Sequence, residues 1–165
     1  MRVRKATGEE MLRLWGYADA GSAPPTAKFF HANLSSGNSL FWTIEREDGE
    51  LIGELYAFLD LDDEDFADGK DTAYLCAFRV KEGYRGQGLG SELLEHALSE
   101  LREMGFRSAT IGVGKDEPRN LRLYRRFGFL SMVKECHYDP CGLDADGRQL
   151  YEEDGWWLLS KDLWE

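Results

Sequence analysis

The sequence lacks long apolar runs, is poor in cysteine, and carries too little positive charge to balance its acids. No stretch of the 165 residues approaches the ~18 consecutive apolar residues of a membrane-spanning helix. The opening Met1-Arg2-Val3-Arg4-Lys5 is basic, but no apolar segment follows it, so it reads as a first strand and not as a secretion signal. Only Cys76, Cys136 and Cys141 are present, and an odd number without a secretion signal argues against a disulfide framework and for a reducing, cytoplasmic setting. Cys136 and Cys141 have no paired ligand set around them, so no metal is expected there. Acidic residues number 31 against 20 basic ones, a formal charge of -11. Such a field repels nucleic acid and anionic membranes, and neither is an expected partner. It suits a cationic partner such as an amine, and it equally suits ordinary solubility.

What is present is enough for one compact core, with 42% hydrophobic and 13% aromatic residues, and a single domain over residues 1–165 is expected. Thr7-Gly8-Glu9-Glu10 has the form of a capping box, ahead of a helix striped with Met11, Leu12, Leu14 and Trp15. Pro24-Pro25-Thr26 opens a second helix that Ser35-Ser36-Gly37-Asn38 ends. Leu40 to Arg46 and Leu51 to Leu59 read as strands joined by an Asp48-Gly49 hairpin turn. The acidic segment from Asp60 to Asp71 is expected to be an exposed connector. Its glycine and glutamate are misplaced for a calcium loop.

Tyr74 to Val80 is a nearly continuous apolar run, as in a central strand covered on both faces. Leu89, Leu93, Leu94, Ala97, Leu98, Leu101 and Met104 then recur at helical spacing up to Gly105. Ser108 to Val113 reads as a strand, Pro118 to Phe127 as a helix ended by Gly128, and Phe129 to Tyr138 as a strand. Asp144-Ala145-Asp146-Gly147 is a turn before a last strand at Trp156-Trp157-Leu158-Leu159. The fold class is α+β.

The chemistry concentrates in Val80-Lys81-Glu82-Gly83-Tyr84-Arg85-Gly86-Gln87-Gly88-Leu89-Gly90-Ser91, between an apolar strand and an amphipathic helix. Glycines at alternate positions let the backbone turn tightly and leave its N–H groups uncovered. With the positive end of the helix dipole they suit a pyrophosphate, and Arg85 can add a charge-assisted bond at the rim. A P-loop requires Gly-Lys-Ser/Thr, whereas Gly90 precedes Ser91 and Glu92. The dinucleotide fingerprint requires glycine where Ser91 stands, and early in a βαβ unit. What remains is Arg-x-x-Gly-x-Gly following Phe78-Arg79-Val80.

That pattern resembles the signature of the GNAT superfamily, the Gcn5-related N-acetyltransferases. The order of elements is also similar: strand, two helices, three antiparallel strands, helix, strand, helix and two strands. The resemblance implies a mixed, mostly antiparallel sheet of about seven strands flanked by about four helices. It implies acetyl-CoA as cosubstrate, its pyrophosphate on Arg85, Gly86, Gln87, Gly88, Leu89, Gly90 and Ser91. Backbone near Phe78 and Val80 would pair with the pantetheine. Asn120 and Tyr124, four apart on one helix face, match a pantetheine-binding asparagine and a tyrosine that protonates the departing thiolate. Phe127-Gly128-Phe129 matches the way such sequences leave this helix. Taken alone, Tyr124 could equally be packing and Asn120 an ordinary helix-start residue.

Transfer to an amine needs a neutral amine, and a lysine-like amine has a pKa near ~10.4 in water. The glutamate that many members carry before the phosphate loop is missing from Ala73-Tyr74-Leu75-Cys76-Ala77-Phe78-Arg79-Val80. Glu54 is the replacement candidate, on a strand face with Ile52, Tyr56 and Phe58, where an apolar setting would raise its pKa; the other reading is a carboxylate facing water. Cys76 inside an apolar strand is expected to be inert packing. His96 is expected on the polar side of its helix, and His137 either at a cleft or at a packed strand end.

The expected acceptor is a primary amine on a small molecule, with the Asp60–Asp71 loop able to draw in a polycation. A protein N-acetyltransferase and a non-catalytic acyl-CoA sensor are the alternatives. Trp156 and Trp157 would serve either a homodimer interface or the core.

Overall fold

A computed structural model describes residues 1–165. In chain order it contains β1 (Arg2–Lys5), α1 (Gly8–Trp15), α2 (Pro25–Ser36), β2 (Ser39–Glu45), β3 (Leu51–Phe58), β4 (Thr72–Val80), α3 (Leu89–Glu103), β5 (Ser108–Gly114), α4 (Pro118–Arg126), β6 (Ser131–Leu143) and β7 (Gln149–Asp162). The strands form one sheet in the order β1-β2-β3-β4-β5-β7-β6. Only β4 and β5 run parallel, as their connection through α3 requires. The mixed, mostly antiparallel sheet of seven strands and the four helices are those that the family resemblance implies.

Local chemistry sets most boundaries. The Thr7 side chain accepts from the Glu10 amide at 3.2 Å while the Glu10 carboxylate accepts from the Thr7 amide at 3.1 Å, completing the capping box. Glu10 also pairs with Arg4 at 2.6 Å, tying α1 to β1. Helix α3 stops in a Schellman arrangement: Gly105 at φ 97° donates to the Arg102 carbonyl, and Phe106 donates to that of Leu101. Its apolar stripe, Leu93, Leu94, Ala97 and Leu101, packs with Leu55, Leu75 and Ile111 on one face of the sheet. On the other face Met11, Leu12, Ala27 and Phe30 from α1 and α2 cover Phe41, Tyr56 and Phe58.

The structure corrects the sequence reading at four points. Strand β4 is buried on both faces only through Leu75, because its pairing with β5 ends at Leu75 opposite Ile111 and the two strands then part. Strand β7 starts at Gln149, well before Trp156, and with β6 forms a long hairpin arm. Its first half, Tyr151-Glu152-Glu153-Asp154, carries no alternating apolar face that would announce a strand. The acidic connector is not wholly solvated. Phe66 is buried edge-on against Tyr74 (ring centroids 4.9 Å apart), and its carbonyl accepts from Thr110 Oγ1 at 2.7 Å. Finally, a register shift at Ile44/Glu45 puts Ile52 in the α3 layer, apart from Tyr56 and Phe58.

Candidate active site

Where β4 leaves β5, two cavities open on either side of the gap. The first, of about 760 Å³, runs from the glycine loop to α4. Gly86 and Gly88 adopt φ of 78° and 80°, conformations that L side chains rarely reach, and they turn the chain directly into α3. The first helical bond of α3 is Glu92 N–H to the Gly88 carbonyl, and no side chain caps the helix. None of the backbone N–H groups from Gly86 to Ser91 donates to an acceptor in the protein. These free donors stand at the positive end of a four-turn helix, the arrangement that favours a negative group. At Gly90 a Cβ would come within 3.3 Å of the Phe78 ring, so the ring would have to shift by a few tenths of an ångström to admit one.

The predicted residues Phe78, Val80, Arg85, Gly86, Gly88, Leu89, Gly90, Ser91, Asn120 and Tyr124 all line this groove. Gln87 does not: it stands exposed in the turn, its amide without an acceptor in the protein. Arg85 Nε donates to the Val80 carbonyl at 2.8 Å, which leaves its terminal nitrogens without a protein partner. Arg126, which no sequence motif singled out, adds a second guanidinium to the groove wall.

At the gap, β4 bulges. Cys76 pairs with Tyr56 and Arg79 with Glu54, so Ala77 and Phe78 have no partners on β3. Ala77 sits at φ 51°, a conformation that costs a non-glycine residue about 1–2 kcal/mol. The bulge directs Phe78 towards α4, its ring centroid 6.5 Å from that of Tyr124. Tyr124 is itself fixed from behind. Gly128 at φ 97° closes α4, the Phe129 amide donates to the Tyr124 carbonyl at 3.0 Å, and the buried Phe129 ring packs 6.1 Å from the tyrosine. The side chain is 5% exposed, and its hydroxyl has no partner in the protein. Burial, reinforced by the negative Glu117, holds that hydroxyl well above the usual tyrosine pKa and therefore protonated.

Asn120 stands one turn earlier. Its Nδ2 donates to Glu117 Oε2 at 2.7 Å, and Glu117 Oε1 accepts from the Gly114 amide at 2.7 Å. Glu117 thereby clamps the start of α4 to the end of β5 and orients Asn120. Sequence reasoning missed it, although a carboxylate immediately before a helix-starting proline was a usable signal.

The second cavity, of about 650 Å³, lies between α1–α2 and the β6–β7 arm, and shares Phe78, Arg79, Asn120 and Tyr124 with the first. Thr26 Oγ1 holds the arm to α2 through the Leu143 backbone, accepting from its amide at 2.9 Å and donating to its carbonyl at 3.0 Å. The walls carry Trp15, Phe30 and Tyr74 together with the carboxylates of Glu117, Asp139 and Glu152. None of the Asp60–Asp71 carboxylates lines it. Asp63 and Asp65 are instead paired with Lys134 at 2.6 and 3.0 Å.

Glu54 is 8% exposed and does not line this cavity. The apolar setting expected for it is absent. Its Oε1 accepts from Trp15 Nε1 at 2.7 Å and from the Tyr56 hydroxyl at 3.0 Å, while Oε2 faces Arg79 Nε at 3.4 Å. Cys76 and Cys141 also line the cavity, and burial pushes the Cys141 thiol up. His137 is held on the arm, with Nδ1 on the Glu152 carbonyl and Nε2 on Glu135, each at 2.9 Å.

Known proteins align with this chain in sequence and in fold. Over 72 residues it is 33% identical to the N-alpha-acetyltransferase MAK3 of Arabidopsis thaliana, covering 44% of this chain and 38% of that protein. Over 84 residues it is 31% identical to the spermine/spermidine N(1)-acetyltransferase of Bacillus subtilis (strain 168), covering 50% and 54%. The matched region thus spans about half or less of these relatives' length. A GNAT family acetyltransferase from Elizabethkingia anophelis, solved with acetyl-CoA bound, superposes with a TM-score of 0.63 over 98% of this chain and 97% of that one, at 18% identity. No helix is long and apolar enough to cross a membrane. The acetyltransferase (GNAT) family model matches residues 8–129, from the start of α1 through the glycine loop, Asn120 and Tyr124, and the chain belongs to that family.

Proposed function

We propose that this protein is an N-acetyltransferase that moves an acetyl group from acetyl-CoA to a primary amine by direct attack, without an acyl-enzyme. The observation that carries the reading is the meeting of two cavities at one unpartnered tyrosine hydroxyl: an anion groove on one side and an acid-walled cleft on the other. The groove fits the cosubstrate. The free amides from Gly86 to Ser91 take the pyrophosphate, with Arg85 and Arg126 at its edges. The bulged Phe78 backbone and Asn120 direct the pantetheine to Tyr124. Acetyl-CoA supplies the activated acetyl group. The chain's own part is to align it with the amine, which lowers the barrier mainly through proximity. The amine attacks as its neutral form, and the C–S bond breaks as the N–C bond forms. Tyr124, kept protonated by burial, donates to the departing sulfur, and the nitrogen sheds its proton to solvent water.

The acceptor side favours a small cationic amine. Arg79 is the one basic residue on the cleft wall and is already paired with Glu54, so Glu117, Asp139 and Glu152 set the local sign. Glu54 itself is a positioning residue in this account, anchoring Trp15 and Arg79 on the wall. Glu54→Gln is accordingly expected to lower turnover by less than about tenfold, equally at neutral and alkaline pH, with acetyl-CoA affinity kept. A general base in its place would lose about 10²–10⁴-fold, most severely at neutral pH.

The experiment is a thiol-release assay with acetyl-CoA against a panel of small primary amines and an amino-terminal peptide. Release of CoA with small amines supports the proposal. Release with the peptide alone would reassign the acceptor to protein, and acetyl-CoA binding without release from any amine would favour a sensor.

A further inference from the structure

Resting on that reading, one part of the acceptor cleft has a composition that transfer to a simple amine does not require. A smaller cavity, about 210 Å³, continues from the cleft along β5 and shares Tyr74, Gly112, Glu117, Asp139 and Glu152 with it. Gly112 lets the Trp156 ring pack close against β5 at the edge of this extension, since the ring would lie 2.6 Å from any Cβ at that position. The Tyr74 side chain is 5% exposed and wedged edge-on against Phe66, and its hydroxyl has no hydrogen-bond partner in the protein. Tyr74 lines both cavities, and its unpartnered hydroxyl is open to a hydrogen bond from a molecule bound there.

Two carboxylates converge on the same space. Asp139 uses Oδ1 to hold the Cys141 amide at 2.9 Å, which fixes the carboxylate and leaves Oδ2 without a partner. Glu152 lies across the hairpin, its backbone carbonyl accepting from His137 while its carboxylate pairs with no cation. Neither acid has a basic side chain opposite it, and the third acid, Glu117, is occupied by Gly114 and Asn120.

We infer that Tyr74, Asp139 and Glu152 form a subsite for a second ammonium group, so that the preferred acceptor is a diamine or longer polyamine whose remote cation docks on the β6–β7 arm. The ammonium donates to Asp139 Oδ2, to Glu152 and to the Tyr74 oxygen, three acceptors for its three protons. These bonds form equally in the bound substrate and at the transition state, so they act on KM and not on kcat.

The test compares α,ω-diamines of increasing length with the n-alkylamines of matching length, by CoA release from the native protein and from Asp139→Asn, Glu152→Gln and Tyr74→Phe. The asparagine retains an oxygen for the Cys141 amide, and melting temperatures check that each variant folds. For the native protein, kcat/KM is expected to be about 10- to 100-fold higher for the best diamine than for its monoamine, as charged hydrogen bonds of this kind allow. Each variant should raise the diamine KM several-fold more than the monoamine KM, because a monoamine meets only the general negative field of the cleft. Equal native turnover of diamines and monoamines would overturn the subsite, as would variants that lose both acceptors alike. Failure to bind acetyl-CoA would instead overturn the reading on which the subsite rests.

Discussion

Tyr124→Phe is expected to lower kcat by about 10²–10⁴-fold while leaving acetyl-CoA affinity nearly unchanged, the range typical of losing a positioned proton donor. The variant should be structurally silent. The tyrosine ring is held by Phe78 and Phe129, and its backbone by the closure at Gly128, none of which involves the hydroxyl. That hydroxyl bonds nothing in the protein, so its removal orphans no partner. Burial raises its pKa far enough that the native enzyme keeps this donor protonated throughout the neutral range, and no loss of activity from its ionisation is expected below about pH 10. Titration of acetyl-CoA into the variant, beside steady-state rates, separates the two effects. A comparable fall in affinity would mean that the hydroxyl binds the cosubstrate and does not serve the leaving group.

The second large effect is expected at the opposite end of the groove. Ser91 lies in the first turn of α3 with a free amide, so Ser91→Asp places a carboxylate where a helix N-terminus favours one, a gain of about 0.3–1 kcal/mol. The same charge stands against the proposed pyrophosphate. At about 5 Å and an effective dielectric constant near ~20, like unit charges repel by about 3 kcal/mol, or roughly 10²-fold in affinity. Stability and affinity should therefore move in opposite directions: melting temperature level or slightly raised, acetyl-CoA binding about 10²-fold weaker. Unchanged affinity would locate the phosphates elsewhere.

The two ends of this groove were legible in the sequence for a shared reason: each is encoded locally. Alternating glycines between an apolar strand and an amphipathic helix specify the turn and the free amides, and Asn120 and Tyr124 share a face through helical spacing alone. The acceptor cleft was not legible. Asp139 and Glu152 meet only through the register of β6 with β7, and the start of β7 carries no alternating apolar face to announce a strand. Nor did the sequence disclose that Trp15 from α1, Tyr56 from β3 and Arg79 from β4 would converge on Glu54 and replace an apolar setting with three polar partners. Phe66 shows the same limit. In a run of acids it reads as solvated, until the fold places Tyr74 and Trp156 beside it.

The central claim is that the groove between the α3 N-terminus and α4 holds acetyl-CoA with its thioester at Tyr124. Calorimetric titration of acetyl-CoA into the native protein and into Ser91→Asp tests it most directly. The account expects one site per chain for the native protein, with affinity in the ~1 μM to ~1 mM range usual for enzyme substrates, and marked weakening in the variant. Absence of binding to the folded native protein, or equal binding to both, would contradict it.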